Sequence, residues 1–167
     1  MKNVLILGST GFIGRNISEY LSRFNNLKIY LLRFFGSTIG NGVIIKPNVN
    51  IKYPWKLQIG NNVWIGESVW IDNIDLIIIG NNVTISQGAL LISGNHNYKK
   101  STFDLLIGKI TLEDGVWIAA KSVVSSGVTC RSHSVLTLNS VATQDLDEYG
   151  IYRGNPAMKY RYRNIEL

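Results

Sequence analysis

Aliphatic residues recur at every sixth position along most of this 167-residue chain. The series reads Ile39, Ile45, Ile51, then Ile59, Ile65, Ile71, then Ile79, Ile85, Leu91, and resumes as Leu112, Ile118, Val124, Cys130, Leu136 and Ala142. Three segments also align at a spacing of 20: Ile39-Gly40-Asn41-Gly42-Val43, Ile59-Gly60-Asn61-Asn62-Val63 and Ile79-Gly80-Asn81-Asn82-Val83. A period of six is neither the 3.6 of a helix nor a plain alternating strand, although it is a multiple of two. It is satisfied by a coil in which each hexad forms one flat face and then turns a corner. Three faces per coil place the whole series inside a triangular prism, with Gly and Asn supplying unusual corner dihedrals. Coils stacked at the β-strand spacing of about 4.8 Å bury a continuous ladder of like side chains. Fifteen hexads therefore predict a mainly β chain of about five coils.

Departures from the period mark what leaves the prism. A spacing of 20 rather than 18 in the first two coils predicts small corner loops near Tyr53-Pro54 and Asn73-Ile74. The 21 residues from Leu91 to Leu112 read as one 18-residue coil length plus three, and the polar run Gly94-Asn95-His96-Asn97-Tyr98-Lys99-Lys100 predicts that part of them projects as a loop. Loops on rigid solenoids are common mounts for function. Three segments follow: 1–35 before the repeat, 36–145 within it, and a basic tail at 146–167.

Composition fits this picture. The chain holds 22 Ile and 17 Asn but 3 Pro, which suits short strands and sharp turns. Charged residues are 17% against 46% hydrophobic, which excludes disorder as the default. Cys130 is the one cysteine, so neither an intrachain disulfide nor a cysteine-rich metal site is available. No apolar run reaches membrane-spanning length and no secretory cleavage pattern follows the N-terminal apolar stretch, so a cytoplasmic protein is expected. The net charge of +6 sits at the ends, +4 over residues 1–35 and +3 over 152–167. Such ends meet phosphate on a cofactor, a nucleic acid or a membrane surface without choosing among them. No recognition helix or base-stacking platform is evident, so nucleic acid is not an expected partner, and proximity to a membrane surface stays open.

From about Leu31 to Arg163 the chain resembles the hexapeptide-repeat acyltransferases, which are left-handed parallel β-helices. The closer resemblance is to exopolysaccharide acetyltransferases of the colanic-acid type. It is carried by Ile51-Lys52-Tyr53-Pro54-Trp55-Lys56-Leu57, Trp64-Ile65-Gly66-Glu67, Gly94-Asn95-His96-Asn97-Tyr98 and Gly154-Asn155-Pro156-Ala157. The resemblance implies acetyl-coenzyme A as cosubstrate, a homotrimer with active sites between subunits, and a sugar acceptor meeting the thioester at a loop histidine.

Of the two histidines, His133 falls three positions after Cys130 on a repeating coil and reads as an outward surface residue, whereas His96 lies in the long loop. A neutral imidazole, with a usual pKa of about 6.5, is suited to accept the proton of a sugar hydroxyl as it attacks the thioester and to return it to the departing thiolate. Cys130 is expected to be buried and inert. By resemblance the backbone N–H of Ala120 faces the developing oxyanion and Trp117 flanks the coenzyme channel. Leu138, Thr143 and Gln144 continue the coenzyme contacts, with Arg161 near the nucleotide. Leu138 stands where a small residue is usual, Gln144 where a lysine is common, and Ser68 where related sugar acetyltransferases have Asn. Asp72, Asn73, Asn95 and Tyr98 are candidates for the acceptor, with turn formation equally open for Asp72 and Asn73. No metal site is expected, since the prism-shaped carbonic anhydrases use three histidines for zinc. N-acetylation of a nucleotide-linked amino sugar and a catalytically silent structural trimer remain the alternatives.

The N-terminus points elsewhere. Val4–Leu7 followed by Gly8-Ser9-Thr10-Gly11-Phe12-Ile13-Gly14 resembles the strand and glycine turn of extended short-chain dehydrogenases. Ile17, Tyr20, Leu21 and Phe24 follow at helical spacing, and Leu27–Leu32 reads as a second strand, giving a βα(β) fragment. The repeat begins too soon for the rest of a dinucleotide sheet, and Lys28–Arg33 lacks the acidic residue such folds place on the ribose. NAD is therefore not expected, and the fragment reads as an end cap.

Overall fold

A computed structural model describes residues 25–165. There the hexads wind into a three-sided parallel β-helix. The first face holds β1 (Thr38–Ile39), β4 (Leu57–Ile59), β7 (Ile77–Ile79), β12 (Ile110–Leu112) and β15 (Thr129–Cys130). The second holds β2 (Ile44–Ile45), β5 (Trp64–Ile65), β8 (Thr84–Ile85), β13 (Trp117–Ile118), β16 (Val135–Leu136), β18 (Gly150–Arg153) and β19 (Met158–Tyr162). The third holds β3 (Asn50–Ile51), β6 (Trp70–Asp72), β9 (Leu90–Ile92), β14 (Val123–Val124) and β17 (Val141–Ala142).

Register makes the predicted series three vertical ladders. Ile39, Ile59, Ile79, Leu112 and Cys130 are successive partners on the first face. Ile45, Ile65, Ile85, Ile118, Leu136 and Tyr152 stack on the second. Ile51, Ile71, Leu91, Val124 and Ala142 stack on the third. All fifteen predicted positions are buried except Ile51, half-buried in the first coil, where among the described residues no further rung stacks below it. The residue two places earlier also points inward, as strand alternation demands: Val63, Val69, Ile77, Val83, Ala89 and Ile110 are buried, as are Ser122, Ser134 and Ser140 in the later coils. Truncating a fully buried rung such as Ile71 to Ala costs about 2–5 kcal/mol.

Corners use the left-handed backbone at one fixed place, the third residue after an inward aliphatic. Gly42, Asn62, Asn82, Gly115 and His133 occupy one corner column with φ of 68, 55, 55, 70 and 60°. This accounts for Asn62 and Asn82 here, and for Asn48 and Asn139 at other corners, because Asn and Gly tolerate that region best. The glycine of each Ile-Gly-Asn segment has a different reason. A Cβ on Gly60 would lie 2.7 Å from the Gly80 carbonyl carbon, so only glycine lets the coils close. Asn61 then stacks between Asn41 and Asn81, and Asp114 ends the ladder by accepting the Asn81 backbone N–H at 2.7 Å.

Three expectations change. The interruption contains no coil length: β12 pairs directly with β7, so Leu91 and Leu112 are consecutive inward positions of one corner. The extra residues form an antiparallel hairpin, β10 (Gly94–His96) with β11 (Leu105–Ile107). The tail at 146–167 also continues the solenoid as far as β18, with Leu146 bridging to Cys130 in parallel and β18 pairing with β16. β19 then folds back antiparallel on β18. The chain thus makes five full coils and part of a sixth.

Leu27–Leu32 is helical, within α1 (Asn25–Phe34). Both periods fit its apolar residues, and the exposed end of the first coil decides. On a helix Asn25, Lys28, Ile29 and Leu32 share one face. Ile29 and Leu32 pack on the core, while Asn25 bonds Val43 O and the Ile45 N–H, and Lys28 Nζ bonds Ile45 O at 2.7 Å. Arg33 adds Ile39 O and Gly40 O. The helix therefore covers a solenoid end that would otherwise expose unpaired backbone groups. The glycine turn and strand expected at residues 4–14 lie outside the described residues.

Candidate functional site

The hairpin leaves the prism where the third face turns into the first. Its base is packed from below, since a Cβ on Gly94 would lie 2.7 Å from Ile74 Cδ1 in the preceding coil. Farther out, His96 pairs with Leu105, and the Lys100–Asp104 ion pair at 2.8 Å braces the tip. That contact is the main reason the exposed Asp104 carboxyl is held below the usual carboxylate range. His96 Nδ1 lies 2.8 Å from the carbonyl oxygen of Phe103, whose backbone is left-handed with φ 49°. A carbonyl only accepts, so Nδ1 carries the proton and Nε2 presents its lone pair. The Phe103 ring flanks the imidazole at 6.1 Å. Sequence reasoning missed Phe103, because its contribution is a carbonyl that every residue possesses.

The acceptor candidates divide. Tyr98, 75% exposed, donates its backbone N–H to His96 O at 3.0 Å, whereas Asn95 turns its Oδ1 to the His96 N–H at 2.7 Å. Asp72 is paired with Lys52 at 2.9 Å and remains partly exposed. Asn73 is fully buried. Its amide accepts the Tyr53 N–H at 3.0 Å and donates to Tyr53 O and Lys56 O, so the side chain is engaged in holding the turn.

The coenzyme candidates fall at two corners. Trp117 is exposed on the second face, its indole N–H donating to Ser86 Oγ at 3.0 Å. Ser86, not anticipated, thereby fixes the indole. Ala120 and Leu138 follow at the corner between the second and third faces, joined by the Asn139 N–H to Ala120 O bond of 3.0 Å. The flanking Ala119 and Lys121 amides bond Leu136 O and Gln87 O, while that of Ala120 has no protein acceptor among the described residues. Leu138 is 65% exposed and stands at the mouth of that corner. Thr143 and Gln144 are exposed at the hairpin's corner two coils beyond it, and Arg161 lies exposed on β19. One chain therefore carries a histidine group and an indole–amide group on different prism edges.

The other reactive side chains are structural. Cys130 is fully buried, and that burial, with Asp145 and Glu113 adding, raises its thiol far above the ordinary value. His133 stacks on Tyr149 at 4.8 Å in a left-handed corner. Among the described residues no three His, Cys, Asp or Glu side chains gather as a metal site, and no helix is long and apolar enough to cross a membrane.

Prism, ladders and projecting histidine define a hexapeptide-repeat acyltransferase scaffold, and comparison with known proteins agrees. WcaF of Escherichia coli strain K12, whose name assigns it provisionally to acetyl transfer in colanic acid biosynthesis, is 35% identical over 136 residues, 81% of this chain and 75% of WcaF. The chain belongs to the hexapeptide-repeat acetyltransferases. The galactoside O-acetyltransferase of the same organism is 26% identical over 137 residues, 80% of this chain and 68% of that protein. A Vibrio cholerae hexapeptide-repeat acetyltransferase in complex with acetyl-coenzyme A shares the fold, with a TM-score of 0.76 at 22% identity over 93% of this chain and 91% of the other. No protein-family model matches the chain.

Proposed function

We propose that this protein transfers acetyl from acetyl-coenzyme A to a sugar hydroxyl of a cell-surface polysaccharide or its precursor, with His96 as the base. The observation that carries this reading is the His96 Nδ1 to Phe103 O contact of 2.8 Å, which frees Nε2 on an exposed, braced hairpin. The acceptor oxygen attacks the thioester carbon while its proton passes to Nε2. The carbonyl oxygen gains charge that the Ala120 N–H is available to receive, a contribution of about 3 kcal/mol for a well-placed donor. The C–S bond then breaks and Nε2 returns the proton to the thiolate, so no acyl-enzyme forms. Support for the donor and acceptor classes comes from the acetyl-coenzyme A bound to the Vibrio protein and from the sugar acetyltransferases among the relatives.

Assembly completes the site. A threefold ring would set the hairpin edge of one copy against the Trp117–Ala120 edge of the next. The exposed Ile44, Trp64, Trp70 and Trp117 side chains supply apolar area on the second and third faces for such packing.

The test is transfer of labelled acetyl to sugar acceptors by wild type and His96→Ala. The variant should lose about 10²–10⁴ in kcat on hydroxyl acceptors. It should lose less on amino-sugar acceptors, whose deprotonated amines are already nucleophilic. A near-normal hydroxyl rate without the imidazole refutes the assignment.

A further inference from the structure

The segment Lys52-Tyr53-Pro54-Trp55-Lys56 is not used by the mechanism above. Pro54–Lys56 forms a single 3-10 turn at the hairpin's corner, two coils below the hairpin base. That turn is held from several sides. Asn73 binds Tyr53 and Lys56, Ser37 Oγ donates to Pro54 O at 2.6 Å, and Lys56 Nζ donates to Ile74 O. Gly36 packs under Trp55, where an added Cβ would come within 3.1 Å of Trp55 Cβ. Yet this braced turn presents an indole 46% exposed, tilted at 46° against the Tyr53 ring 5.2 Å away.

We propose that this corner is a sugar-binding subsite that takes a second residue of an oligosaccharide acceptor, away from the hydroxyl being acetylated. A pyranose has an apolar C–H face and a rim of hydroxyls. Trp55 offers a rigid aromatic surface to the face, at no cost in ordering the side chain's support. Lys52, held 2.9 Å from the largely covered Asp72 carboxylate and itself exposed, offers donors to the rim. Charge favours an uncharged sugar over a phosphate, because Lys52 is paired with Asp72 and the Lys56 ammonium is taken up by the Ile74 carbonyl. Placement is on the acceptor's path. Asp72 pairs with Ile92 immediately before the hairpin, and two coil steps of roughly 4.8 Å separate the turn from the hairpin base. An oligosaccharide lying along the edge spans that gap; a single hexose does not.

This inference rests on the acetyl-transfer reading, and its test separates the two. Galacto-oligosaccharides of one to four residues serve as acceptors for labelled acetyl and as ligands in a tryptophan-fluorescence titration. Wild type should gain at least tenfold in kcat/KM from monomer to tetramer. Trp55→Ala and Lys52→Gln should erase most of that gain and leave the monomer rate unchanged. Equal length dependence in wild type and both variants overturns the subsite, as does a wild type indifferent to length. Dissociation of the assembly by Trp55→Ala also overturns it, since that would make the indole an interface residue. If wild type acetylates none of the sugars while the tetramer still quenches wild type more than Trp55→Ala, the acetyl-transfer reading fails and the subsite stands.

Discussion

At the scale of single residues, one backbone carbonyl orients the proposed base. Phe103 O fixes which nitrogen of His96 carries the proton, and its left-handed backbone is what turns that oxygen toward the ring. Asn73 shows the opposite case, a polar side chain spent entirely on architecture. Asn73→Ala would strand the Tyr53 N–H and the Lys56 carbonyl, while Tyr53 O keeps the Lys56 N–H, so about 1–3 kcal/mol of stability should be lost. Urea unfolding of the variant checks this, and acetyl transfer should survive wherever the fold does. Cys130 should not react with a thiol reagent until the protein is denatured, and Cys130→Ala should keep near-normal transfer. The histidine was legible because only one of two lies off the repeat. The Phe103 carbonyl and the Asn73 contacts were not, because a backbone acceptor has no signature and a corner Asn looks the same whether it binds sugar or peptide.

At the scale of elements, the period of six dictated rungs, faces and most corners, since eleven of the fifteen inward positions are followed three residues later by the same backbone twist, the exceptions lying at the hairpin's corner. The period does not say how a solenoid ends. Asn25–Phe34 satisfies strand and helix patterns equally, and only the unpaired groups of the first coil select the helix. The interruption was visible as a break, but its hairpin form depends on pairing that no repeat encodes. Two outcomes follow for the ladder along the first corner. Gly60→Ala should cost about 1–3 kcal/mol, because the new methyl meets backbone rather than a movable side chain. Asp114 is held below the usual carboxylate range chiefly by the backbone N–H of Asn81, then by that residue's amide. A depressed folded-state pKa contributes stability above the unfolded value of about 3.9 and loses it as pH falls through the lower folded one. Asp114→Asn should therefore flatten this part of the acid limb below about pH 4, read as the urea midpoint against pH.

At the scale of the molecule, a prism keeps its edges apart. His96 rises from the edge joining the third and first faces, whereas Trp117, Ala120 and Leu138 cluster around the edge joining the second and third. The sequence shows both groups without showing that separation, which emerges only once the hexads are wound. On the proposed mechanism, chemistry between them would call for an edge from each of two copies. Co-assembly of His96→Ala with Trp117→Ala tests this most directly, each variant alone being nearly inactive at limiting acetyl-coenzyme A. Random mixing in a threefold ring should restore about a quarter of the wild-type sites, because that share joins an intact hairpin to an intact indole. Mixed assemblies no more active than their parents would contradict a site shared between chains.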